Sequence, residues 1–397
     1  MRFQNAYLPA GGYWTSPFCK WQGSFSTLHP VRFAADVTKA GLAARGIDAG
    51  DCDGIVFGWT VPGRRIFYGS PWLAGLIGAP GLTGPMISQA CATSAASVAA
   101  AAAQIDAGGG NATLVVTSDK CSNGPHVYYP NPKGPGGKGD GEDWVWDNFS
   151  FDPWAKNSMI QTAENVAAEA GISREAMDAL SQRRYEQYVE GVESGFLKRV
   201  MLQSFEINPS GKKVVGTVDG DEGVFPTTTD GLAKLRPMLP DGTITFGSQT
   251  HPADGGAGTV VCSKDRAKAW SGGDEPIQIL SYGVSRVEKG YMAKAVVPAA
   301  QRALDSAGIG VKDCVAIKTH NPFAVNDIYM ARELGIDAES FNNNGSSLIF
   351  GHPQGPTGLR LIAEACEEAR MKGGGHVLFA GCAAGDTAAA IVLSVPG

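Results

Sequence analysis

The chain has no C-x-x-C pair among its eight cysteines (19, 52, 91, 121, 262, 314, 366, 382). That spacing argues against a zinc ribbon built within this chain. The cysteines are also too sparse for a disulfide scaffold, which favours a reducing cytoplasm. Long hydrophobic runs are missing. The longest, Ala95 to Ala103, is mostly alanine with Ser97 inside it, far too short to span a bilayer, and reads as a buried helix. The opening M-R-F-Q-N-A-Y-L-P-A has no apolar leader, so no targeting segment is expected. Basic charge is not in excess. The balance is −6 with a pI near 5.6, which argues against nucleic acid as the main partner. With 397 residues, 43% hydrophobic and 18% charged, the chain has room for two or three domains or one large duplicated α/β body.

Against this background four residues stand out. They are Cys91 in S-Q-A-C-A-T-S-A-A-S, His320 in T-H-N-P-F-A, His352 in F-G-H-P-Q-G-P-T-G and Cys382 in A-G-C-A-A-G. Each lies in a turn rich in small residues. One thiol beside one imidazole makes a nucleophile. A second thiol is a separate proton donor and acceptor. Chemistry that needs both is the making or breaking of a carbon–carbon bond next to a thioester. Cys91 precedes an Ala-rich helix, whose free N–H groups and dipole favour a thiolate. Gly351 admits a close backbone and Pro353 stiffens the exit from His352. Taken singly, Cys91 and Cys382 read as buried packing and His352 as an ordinary turn histidine.

Strand-like and helix-like segments alternate at both ends. The first half has strands over Gly54–Trp59 and Thr113–Thr117 and helices over Val31–Arg45 and Thr93–Ala107. The second has strands over Ile277–Tyr282, Cys314–Thr319, His376–Ala380 and Ala388–Val395, with helices over Ala293–Ala307, Pro322–Leu334 and Thr357–Met371. Cys91, an Ala-rich helix, Gly108-Gly109-Gly110 and a strand mirror His352, a helix, Gly373-Gly374-Gly375 and a strand, which suggests two copies of one βαβ-rich unit. Between them, Asn123–Pro153 is rich in Gly, Pro and Trp and reads as a long surface excursion. Helices follow at Thr162–Ala170 and Arg174–Gly191.

The blocks resemble the thiolase family over nearly the whole chain. Q-A-C-A-T-S-A-A-S is similar to its nucleophile turn. T-A-E-N-V-A-A-E-A-G-I-S-R-E-A-M-D is similar to its loop-domain helix signature. L-A-K-L-R-P-M-L-P-D-G-T-I-T-F-G-S followed by A-D-G-G-A resembles the return to the core, and G-H-P-Q-G-P-T-G-L-R its G-H-P-x-G-x-x-G-x-R. The separations of 32 residues from His320 to His352 and 30 from there to Cys382 also agree. The resemblance implies an α/β thiolase fold, two similar halves packed as α–β–α–β–α layers with an inserted loop domain. Residues 1–120 with 245–265 would form the N-terminal half, 121–244 the loop domain over coenzyme A, and 266–397 the C-terminal half.

It further implies thiolytic cleavage of a 3-oxoacyl-CoA, or the reverse condensation, as an acyltransferase. Cys91 would carry the acyl group, His352 would activate it, and Cys382 would move the α-proton. His320 and His352 would form one oxyanion hole, the backbone N–H groups of Cys91 and Ala384 the other. Ser158, Met159, Ser248, Thr250, Phe323, Gly351 and Gly385 would line the coenzyme A and substrate region. Coenzyme A is a substrate; no metal and no tightly bound cofactor is expected.

This sequence departs from the commonest pattern in several places, among them Ala384 where most relatives have glycine. His320-Asn321-Pro322-Phe323 replaces Asn-Glu-Ala-Phe, which is closer to the sterol-carrier-type thiolases. Ser158-Met159-Ile160-Gln161 and Ser248-Gln249-Thr250-His251 replace two further blocks. Trp144, Trp146, Phe149, Phe151 and Trp154 in the insert either pack the loop domain or, with these departures, shape a pocket for a bulky or aromatic acyl group. A narrower resemblance is to the benzoylsuccinyl-CoA-cleaving type, which works with a small zinc-ribbon/OB-fold partner subunit. A homodimer or larger assembly is implied, with Ser118–Cys121 near its interface; neither nucleic acid nor membrane is an expected partner. The rivals are a ketoacyl synthase-like condensing enzyme and a non-catalytic subunit of the same fold.

Overall fold

The computed structural model describes Met1–Gly397. Eleven strands form one mixed sheet in two halves. In the first half, Gly54–Gly58 runs parallel to Ala112–Lys120 and to Met86–Ile87. Ala253–Cys262 lies antiparallel on the other side of Ala112–Lys120, in register from Asp254 opposite Lys120 to Cys262 opposite Ala112. In the second half, Cys314–His320 runs parallel to Gly375–Ala383, followed by antiparallel Thr387–Val395 and Ile277–Arg286. The short strand Tyr7–Leu8 joins them, with Tyr7 paired to Cys262 on one side and Gln278 on the other.

Helices set the layers. Pro30–Ala43 packs on the outer face of the first half and Val296–Ala307 on that of the second. Thr93–Asp106 and Gly355–Met371 lie back to back between the half-sheets. This is the expected α–β–α–β–α order. A helix enclosed on all sides must be apolar and small, hence the alanines of Thr93–Asp106. Gly358 serves the same end: a Cβ there would sit 3.0 Å from Ser94 Cβ.

The expected helices and strands are present, with several strands longer than the sequence suggested. Ala112–Lys120 continues past Thr117, and Ser118, Asp119, Lys120 and Cys121 are buried within this one chain. The excursion from Asn123 is not structureless. It holds a hairpin of His126–Tyr129 with Asp140–Asp143 and a short helix, Trp146–Ser150. Helices Met159–Ala170 and Arg174–Glu193 follow. The second is fixed to the core by Arg184, whose guanidinium donates to Asp327 Oδ2 at 2.9 and 3.0 Å with both side chains buried. All eight cysteines are free. No helix is long and apolar enough to cross a membrane.

Candidate active site

The inner ends of the two central helices face each other, and that places Cys91 against His352. Cys91 sits two residues before helix Thr93–Asp106, and Ala90 before it adopts φ 45°. A left-handed alanine costs of order 1–3 kcal/mol and persists only when the surroundings enforce it. Thr93 does so: its hydroxyl accepts from Gln89 N at 2.8 Å and donates to Ala90 O at 2.7 Å. At the partner helix, Gln354 just beyond His352 has φ 63°. Asp119 holds that turn, accepting from Gly355 N at 2.8 Å and from Thr60 N and Val61 N at 2.8 Å.

His352 Nδ1 lies 2.6 Å from Thr357 Oγ1, and His320 Nδ1 lies 2.9 Å from Ser347 Oγ. Both Nε2 atoms are left buried without a partner. One ring nitrogen of each and Cys91 Sγ all lie within 4.8 Å of one another. The rings stack with centroids 3.9 Å apart and an interplanar angle of 26°.

Burial pushes the Cys91 thiol up to about 12, although the Ala384 and Cys91 N–H groups directed at the sulfur pull the other way. Burial alone takes the His320 imidazole down to about 3. It takes His352 well below its ordinary value, with the His320 charge adding to the effect. The resting site is therefore a neutral thiol beside two neutral imidazoles.

Cys382 is not in a turn, as the sequence suggested, but inside the end of strand Gly375–Ala383, paired with Ala388 and fully buried. The alanines and glycines around it let the strand run on. Burial drives its thiol well up, the Cys91 charge adds to this, and Asn326 opposes it. Asn326 Nδ2 donates to Cys382 Sγ at 3.2 Å.

A cavity of 610 Å³ opens over Cys91, His352 and Ala384. Ser158, Met159, Thr250 and Phe323 line it, together with Trp144, Trp146, Phe149, Met238, Leu239, Phe246 and Met292. Three of the expected lining residues stand back from it. Ser248 uses its hydroxyl to cap its own short helix, accepting from Thr245 N at 2.9 Å. Gly351, at φ +88°, makes room for the His251 ring, and Gly385 turns the chain after Ala384 at φ +81°. Phe151 and Trp154 face outward, 51% and 66% exposed. A larger cleft of 840 Å³ near Lys39, Arg45 and Arg199 holds no cysteine or histidine.

Sequence reasoning missed the support behind His320. Asp327 Oδ2 accepts from Asn321 Nδ2 at 2.7 Å and Asn342 Nδ2 at 3.0 Å, and Asn321 Oδ1 accepts from Leu348 N at 3.0 Å and Ser347 Oγ at 3.0 Å. The polar residues of H-N-P-F-A-V-N-D were the only signal available for it.

The family model for the thiolase N-terminal domain matches residues 13–265, and that for the thiolase C-terminal domain matches 276–395. The chain belongs to the thiolase family. The 3-ketoacyl-CoA thiolase of Bacillus subtilis is 30% identical over 397 aligned residues, covering 94% of this chain and 95% of that one. The beta-ketothiolase BktB of Cupriavidus necator is 29% identical, covering 91% and 92%. Human mitochondrial 3-ketoacyl-CoA thiolase, solved in complex with CoA, superimposes with a TM-score of 0.91 over 100% of this chain and 99% of that one at 24% identity, a likeness of fold. This thiolase is thus an acyltransferase with the fold its sequence implied.

Proposed function

We propose that this thiolase cleaves a 3-oxoacyl-CoA with coenzyme A through an acyl-Cys91 intermediate. The arrangement of Cys91 Sγ and a ring nitrogen from each of His320 and His352 within 4.8 Å, beside a 610 Å³ cavity, carries the reading. Cys91 passes its proton to His352 and attacks the 3-keto carbon. The carbon–carbon bond breaks, the carbanion of the CoA-bearing fragment takes a proton from Cys382 and leaves as an acyl-CoA, and the shortened acyl group stays on Cys91 until coenzyme A carries it off as the shortened acyl-CoA. Coenzyme A then gives its thiol proton to Cys382 and attacks the acyl-Cys91 thioester, whose sulfur regains the proton held by His352. His320 with His352 faces one thioester oxygen, and the N–H groups of Cys91 and Ala384 face the acyl oxygen. Neutral groups suit this work, because no standing charge competes with the one that develops.

The acyl group is bulky or aromatic. Trp146, Phe149, Met159, Leu239 and Phe246 supply the apolar wall. Benzoylsuccinyl-CoA fits through its ring, while its carboxylate would meet the neutral side chains of Asn148, Gln249 and Gln354, because no lysine or arginine lines the cavity. The working form is a homodimer or larger in the cytoplasm, open to a small zinc-ribbon/OB-fold partner subunit. Thiolysis across a panel of 3-oxoacyl-CoA esters, with and without such a partner, tests the substrate. Mass spectrometry after incubation with acyl-CoA tests the intermediate. An adduct at Cys91 supports the mechanism, and turnover that survives Cys91→Ala overturns it. Cys382→Ser should still acylate but turn over about 10²–10⁴-fold more slowly.

A further inference from the structure

Asn326 is the third residue of helix Ala324–Leu334, two positions beyond the N-terminal Ala324. A polar side chain there ordinarily turns back to cap its own helix. Asn326 does not. It is 2% exposed, and its Nδ2 is directed at Cys382 Sγ 3.2 Å away, across from another element of the sheet. Its Oδ1 is buried and has no partner. A buried amide with one oxygen unsatisfied is costly. The partner it does have is weak while protonated, since a thiol sulfur is a poor acceptor. A thiolate at the same place is a strong one. The contact therefore favours one protonation state of Cys382 over the other.

We propose that Asn326 is a positioning residue for the reaction, holding Cys382 Sγ toward the reacting carbon and stabilising its thiolate each time the sulfur gives up its proton. This rests on the acid and base role assigned to Cys382 above. In cleavage, Cys382 loses its S–H proton to the leaving carbanion and regains one from the coenzyme A thiol. The Asn326 amide loses no atom in either step. It lowers the energy of the state between them.

The test compares Asn326→Leu, close in shape but without a donor, with Asn326→Ser, which restores a donor. The pH dependence of kcat for thiolysis is followed in both variants, beside KM and thermal unfolding. In Asn326→Leu the pH midpoint of the kcat limb assigned to Cys382 should rise by about one to two units. Near neutrality kcat should fall about tenfold or more, with KM near wild type. Asn326→Ser should recover part of both changes. Should Asn326→Leu fail to fold, the Asn326→Ser midpoint decides alone: a rise supports the proposal. A midpoint that stays within about 0.2 units of wild type overturns it. Full turnover in Cys382→Ser would instead refute the assignment of Cys382, so the two failures are distinguishable.

Discussion

His320 and His352 stack face to face with ring centroids 3.9 Å apart, each tied through Nδ1 to a hydroxyl and each left with a buried Nε2. Two such rings cannot both be charged, because neither has an anion to offset the other. The folded chain therefore refuses protons that the unfolded chain accepts at a pH near 6.5.

The sign follows from that difference. Below about pH 6.5 the unfolded state binds more protons, so stability falls as pH drops. With His320 held down to about 3, the loss continues through the range from 6 to 4. Each ring contributes up to about 1.4 kcal/mol per pH unit there. Asp119, pushed up to about 7 by burial, acts in the opposite direction: its contribution is lost as pH rises through that value. Urea unfolding at pH 7 and pH 5 should show His320→Asn losing less stability on acidification than wild type. Equal losses in both would contradict the buried neutral pair.

Arg184 ties the insert helix to Asp327, the acceptor behind the His320 loop. Arg184→Leu leaves that carboxylate buried and unpaired, which should cost about 3–5 kcal/mol. Thiolysis of every ester should fall together, since the loop and not the acyl pocket is disturbed. A chemical denaturation midpoint within error of wild type would rule out the coupling.

Trp146 and Phe149 line the cavity and their rings meet at 6.1 Å. Trp146→Ala should lower kcat/KM for a phenyl-ended 3-oxoacyl-CoA by about tenfold or more. Acetoacetyl-CoA, which does not reach the wall, should be cleaved within about twofold of wild type. Loss of both in proportion would place Trp146 outside the acyl pocket.

Gly41 and Gly258 enclose the buried ring of Trp14, and a Cβ at either would come within 2.2 or 2.4 Å of it. Gly258→Ala should destabilise the fold by about 1–3 kcal/mol with little change in KM. Thermal unfolding beside steady-state kinetics checks this.

The same glycines explain what the sequence concealed. Ala253–Cys262 is a fully buried ten-residue strand, yet the glycines of A-D-G-G-A-G disfavour a strand. Its glycines are there to admit Trp14 and Phe18, a reason that becomes visible only in three dimensions. Cys91 and His352 were legible because their turns need unusual backbone, and that need leaves glycine, alanine and proline around them. Ser248 was misplaced because a hydroxyl serves a cap as readily as a ligand. Asn326 left no mark, since one asparagine in a first turn looks like any other. The hairpin in the insert was hidden by composition, its strands being short and mostly exposed.

Tyr7 touches both half-sheets, and the reacting groups divide along that same seam. Cys91 comes from the first repeat, while His320, His352 and Cys382 come from the second. The unit that folds and the unit that reacts are therefore different. A chain with a single repeat would present a nucleophile without its base, or the reverse, at any one end. To assemble this set it would have to associate with a chain that carries the other repeat. Two copies in one polypeptide make that meeting independent of concentration, and each copy is then free to specialise.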